Sequence, residues 1–150
     1  MFKKGQVSTE YLIILAVVLV IAFVVVLLVS SSTGQAQTAT ESQSKAYWAA
    51  ASPFAVTGAK ASATTLQLSV KNQDLQKLTL TSVSGSGVTT GAFSTDFASG
   101  QEQVISVTLA ATCGSAGTAY EYSNVTLGYT KGSLTGLVQV GARPLVGKCS

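Results

Sequence analysis

The amino-acid sequence predicts an α+β chain, with a long apolar helix at the N-terminus followed by an antiparallel β-sandwich head. Two observations carry that prediction. The 19 residues from Tyr11 to Val29 are uncharged and almost wholly apolar, a run too long for an ordinary core helix of a small domain. From Ala63 onward the apolar spacing switches from three and four residues to two, in short runs parted by Gly-rich turns with no later helical pattern. Short alternating strands in that arrangement fold as a sandwich or a barrel.

The first element is defined by order as much as by composition. Lys3 and Lys4 come first, then the polar segment Gln6, Val7, Ser8, Thr9 and Glu10, and only then the apolar run. A secretory signal peptide instead sets its basic residues directly against its apolar stretch and is cut after it. At about 1.5 Å per residue, the run is roughly 28 Å long as a helix, close to the ~30 Å hydrocarbon core of a bilayer. No Lys or Arg follows until Lys45, so the positive-inside bias places the N-terminus in the cytoplasm and everything after Val29 outside. A simple signal anchor holding a surface domain would show the same hydropathy.

Cleavage before Gln6 would remove a basic leader of residues 1–5 and leave the apolar segment on the mature chain, with Glu10 as its fifth residue. In this the segment resembles the class III signal peptide of archaeal type IV pilins, whose leader ends in Lys-Gly and is followed by Gln-x-Ser-x-Glu-Tyr. Lys4, Gly5, Gln6, Ser8, Glu10 and Tyr11 match that pattern. The resemblance implies cleavage between Gly5 and Gln6 by a prepilin peptidase that recognises those six residues. It also implies a precursor stored in the cytoplasmic membrane, export by a pilus assembly platform, and polymerisation into a helical filament of identical chains on the cell surface, serving adhesion. Glu10 would then pair with the N-terminus of a neighbouring subunit, because a carboxylate at the edge of hydrocarbon is costly unless paired. The head implied is a pilin-like, immunoglobulin-like sandwich.

After Val29, residues Ser30, Ser31, Ser32, Thr33 and Gly34 weaken the helix, since Ser and Thr compete for backbone hydrogen bonds and Gly is a poor helix former. Ala36, Ala39, Gln43, Ala46, Tyr47 and Ala50 nevertheless keep helical spacing up to Pro53, which must end it. A long helix with a soft joint fits, as does a disordered Ser/Thr/Gln stalk over Ser30 to Ser44. The domain plan is therefore a leader over 1–5, a membrane and assembly helix over 6–52, and a β head over 53–150. Tyr47, Trp48 and Phe54 form the dense aromatic cluster expected to dock the helix onto the head.

In the head, Leu66, Leu68 and Val70 alternate with Gln67, Ser69 and Lys71, the mark of a half-buried strand. Leu78 and Leu80, then Ile105, Val107 and Leu109, then Val125, Leu127 and Tyr129 alternate in the same way. Asn72, Gln73 and Asp74 mark one turn, and Lys131 and Gly132 another before Leu137 to Val140. Gly85, Gly87 and Gly91 read as a longer loop, and Arg143 to Lys148 as a final edge strand.

Cys113 and Cys149 are the two cysteines of a chain without histidine, which leaves no tetrahedral zinc set and favours one disulfide in an exported protein; free thiols would require a reducing compartment. Asn124, Val125 and Thr126 form an N-glycosylation sequon, with Asn124 on the exposed side of its strand; an unmodified Asn is the plain alternative. Charged residues make up 10% of the chain, and without residues 1–5 there remain 7 basic against 6 acidic side chains. That balance predicts no nucleic-acid partner. With no histidine and no paired carboxylates at motif spacing, no enzyme activity and no cofactor are expected. The alternatives to a pilin are an archaellin-like filament subunit and a membrane-anchored monomeric surface protein that binds a sugar or a partner.

Overall fold

A computed structural model describes residues 3–150, and the side chains of 8–30 and 38–150. The order is α1 (Lys3–Ala50), β1 (Phe54–Ser62), β2 (Thr65–Asn72), β3 (Leu78–Gly85), β4 (Val88–Phe97), β5 (Glu102–Thr108), β6 (Ala119–Tyr122), β7 (Thr126–Lys131), β8 (Leu134–Val140) and β9 (Leu145–Lys148). An N-terminal apolar helix followed by antiparallel sheets is the α+β arrangement the sequence predicts. Packing separates two units, one ending at Ala39 and the other spanning Thr40–Ser150.

In the first unit, Ser8–Ser30 is a 23-residue stretch long and apolar enough to cross a membrane, with none of it buried. Its many β-branched residues are mediocre helix formers in water. In lipid, however, every backbone polar group must be satisfied internally, and a helix does so within one segment. The large apolar side chains from Tyr11 to Val29 are exposed all round the helix, from 44% at Leu15 to 66% at Tyr11. Such a cylinder has no core side of its own.

The second unit begins with the last turns of α1, whose Ser44 and Trp48 are four residues apart, lie on one face and are buried. The helix ends at Ala50 rather than at residue 52, because the residue before Pro53 is steered out of the helical region. Ser44, Tyr47 and Trp48 pack with the β residues, and the second compact unit accordingly includes the helix from Thr40.

Three antiparallel sheets make up the rest: β1-β2-β5, β4-β3-β7-β8 and the small pair β6-β9. The two larger sheets face each other across one core that includes Leu66, Leu68, Val70, Leu78, Leu80, Val83, Ile105, Val107 and Leu127. The four strands read from alternation appear as β2, β3, β5 and β7, and the expected turns join β2 to β3 and β7 to β8. The segment over Gly85, Gly87 and Gly91 is not a long loop. Ser86 and Gly87 form a two-residue turn, with Gly87 at φ +83°, between β3 and β4. Gly91 lies within β4, where the Phe93 ring occupies the space a side chain would need.

Candidate functional site

The site predicted from sequence lies at the start of α1. The backbone of Lys4, Gly5 and Gln6 is helical, while their side chains lie outside the described residues, as do Met1 and Phe2 altogether. Ser8, Glu10 and Tyr11 are described and exposed. Gln6 and Glu10 are four residues apart, about one turn of helical backbone. This puts the bond expected to be cut one turn before the acid expected to act in assembly. From Tyr11 onward the helix presents only apolar or small side chains up to Val29, Ala16 and Ala22 among them.

The head keeps its groups of interest apart. Cys113 and Cys149 form a disulfide with Cα atoms 5.8 Å apart, closing a span of 36 residues. Around it, Cys113 N–H donates to Ala63 O at 2.8 Å, Cys149 N–H to Thr118 O at 2.8 Å, and Ser150 N–H to Ala61 O at 2.9 Å. The C-terminus is thereby fastened to the β1–β2 turn. Asn124 is exposed, as its sequon requires, but it precedes the strand: it occupies a bend with φ 53°, and β7 starts at Thr126. Asn tolerates that left-handed conformation better than most residues. Thr126 Oγ1 donates to Asn124 O at 3.1 Å.

Several organising residues gave no signal in the sequence. Ser44 Oγ donates to Pro144 O at 2.8 Å and accepts from Val146 N–H at 3.2 Å, joining the end of α1 to β9. Gln139 grips the backbone of Phe54 from both sides, accepting from its N–H at 2.9 Å and donating to its C=O at 2.8 Å. A side-chain amide thus pairs with β1 as a neighbouring strand would, and it ties the two large sheets together at one edge. Alternation cannot reveal such a contact, which links positions 85 residues apart.

Asp74, Asp96 and Glu102 each take hydrogen bonds within the head. Asp74 pairs with Lys131 at 2.6 Å and caps Gln76 N–H at 3.0 Å; the hydrogen bond from Lys131 and that from Gln76 hold its pKa below the usual carboxylate range. Asp96 is lowered by Lys77 and Thr79, and Glu102 by the hydroxyls of Ser69 and Thr57. Burial pushes the Tyr120 phenol up to about 12. Among the described residues no group of three or more His, Cys, Asp or Glu side chains is placed to hold a metal ion.

Residues 3–29 match the Class III signal peptide family. No curated protein and no solved structure gives a significant match to the chain. The matched stretch contains the polar segment and the whole apolar run, ending at Val29 where the Ser-rich segment begins. The N-terminal segment is therefore a class III signal peptide, the mark of a type IV pilin-like or archaellin-like precursor, and it supports a type IV pilin-like protein.

Proposed function

We propose that the chain is a structural, non-catalytic subunit of an extracellular archaeal type IV pilus. It is inserted in the cytoplasmic membrane as a precursor, cut between Gly5 and Gln6 by a prepilin peptidase, and handed to a pilus assembly platform. The observation that carries this reading is the class III signal peptide over residues 3–29 continuing into a helix that is apolar on all sides. Such a helix needs either lipid or copies of itself around it, and close approach of small residues such as Ala16 and Ala22 allows the second. The disulfide-bonded head is then displayed outside, available for adhesion and for glycosylation at Asn124.

Glu10 has a defined task in this scheme. Cleavage frees an α-amine at Gln6, and Glu10 of one subunit neutralises that amine on a neighbour as the helix leaves the membrane. Glu10→Ala is expected to leave membrane insertion and leader removal intact while filament yield in sheared cell-surface material falls. Filaments in wild-type amount from Glu10→Ala cells would refute the role of Glu10. The class III signal peptide also fits an archaellin-like subunit; the Gln-x-Ser-x-Glu-Tyr start favours the pilus.

A further inference from the structure

The C-terminal segment over residues 141–150 touches the last turns of α1 at successive positions. The Trp48 indole occupies the space that a Cβ on Gly141 would need. Ala142 N–H donates to the Tyr47 hydroxyl at 2.9 Å, and the Arg143 guanidinium donates to Gln43 Oε1 at 3.0 Å. Ser44 then takes the backbone on both sides of Leu145, through Pro144 O and Val146 N–H. All of these contacts lie within the compact unit Thr40–Ser150. A further bond to the helix end, from Gln73 Nε2 to Ala49 O at 3.0 Å, comes from the β2–β3 turn.

The segment has little to hold it by itself. It ends the chain, where strands fray unless they are tied down. Strand β9 pairs with β6 alone, and both have four residues, whereas a two-stranded ribbon is marginal on its own in water. The anchors lie at its two ends. Gly141 N–H donates to Val125 O at 2.8 Å, and Cys149 is bonded to Cys113, whose own N–H donates to Ala63 O. A segment fixed at both ends has less freedom to lift away than one fixed at a single end. The two large sheets are held separately, by their own core and by the Gln139–Phe54 bonds.

We propose that residues 141–150 form a redox-locked strap. With Cys113 and Cys149 bonded, it clamps the last turns of α1 to the β head; with both reduced, the clamp opens as a separate step while the large sheets stay folded. A dithiol reductant drives that opening by passing two electrons and two protons to the cysteines. Their S–S bond breaks, two thiols form, and the reductant closes into its own disulfide. An exported chain therefore grips its helix end fully only after leaving a reducing compartment. That consequence rests on the exported-precursor reading above, whereas the lock itself does not.

The test compares hydrogen exchange in the detergent-solubilised full-length chain, as oxidised wild type and as the Cys113→Ser/Cys149→Ser variant. Where the variant fails to fold, wild type that has been folded, oxidised and then reduced by a dithiol replaces it, with its two thiols confirmed by mass. Loss of the disulfide is expected to lower protection over residues 41–49 and in β9 at least about tenfold further than in β2 and β7. Trp48, the one tryptophan and 1% exposed, should shift its emission to the red at the same time. An equal fall in all of these segments would overturn the proposal, since the disulfide would then hold the head as a whole. Unchanged protection at the helix end would overturn it too. Both measurements use purified protein, so failure of the filament reading leaves their outcome as it stands.

Discussion

Asn72 shows how much one residue holds in the head. It is fully buried, with Nδ2 donating to Gln76 O at 2.8 Å, Phe97 O at 3.1 Å and Ala98 O at 3.2 Å, and Oδ1 accepting from Asp74 N–H at 2.8 Å. Asn72→Ala removes all four bonds and leaves the buried Phe97 carbonyl without this donor, which is expected to cost about 1–3 kcal/mol, read as a lower unfolding midpoint of the detergent-solubilised chain. Gly141 is the other sensitive position. A Cβ there would lie 2.3 Å from two carbons of the Trp48 indole, so Gly141→Ala should cost roughly 1–3 kcal/mol and shift Trp48 fluorescence. Titration follows from the same side chains. Asp74, Asp96 and Glu102 have lowered pKa values in the folded state, so their contribution is present above the unfolded values near 3.8 and 4.5 and is lost as pH falls through the folded ones. Tyr120 is raised from 10.0 to about 12; the unfolded chain loses that proton first, so stability declines as pH climbs from 10 towards 12. A plateau in unfolding midpoint between those limits, falling off at both ends, is the expected profile. At this scale the sequence was partly legible. Asn72 was marked as a turn residue, but its burial depends on strand ends far away in the chain.

At the scale of elements, legibility followed regularity. β2, β3, β5 and β7 alternate cleanly and were evident from sequence, as was the β7–β8 turn. β1 was not, because the bulge between Val56 and Gly58 breaks its period and shifts its register against β2. β4 was hidden by Gly91, whose missing side chain is replaced by the Phe93 ring. β6 has only four residues, too few for a period to show. The end of α1 was read as a docking helix through Tyr47 and Trp48, and both pack on the core; the role of Ser44 came only with the fold. Ser44→Ala should loosen the junction with β9 by about 1–2 kcal/mol, seen as faster hydrogen exchange at Val146 with little change at β2. The disulfide acts on the same region. Reducing Cys113–Cys149 frees a 36-residue span and is expected to remove roughly 3–4 kcal/mol on the chain-entropy account, measurable as a drop in the unfolding midpoint under thiol reductant.

For the whole molecule, the class III signal peptide and the apolar helix fit a membrane-inserted precursor of an extracellular filament subunit. This part of the protein was the most legible, because a leader, a polar segment and a bilayer-length run are written consecutively and need no long-range contact to be recognised. The central claim is that the chain is cut before Gln6 and then polymerises. The most direct measurement is the N-terminal mass of the protein recovered in sedimentable filaments sheared from cells. A chain beginning at Gln6 in that fraction is the predicted result. A chain beginning at Met1 and confined to membranes would contradict the account and make the protein an anchored surface monomer.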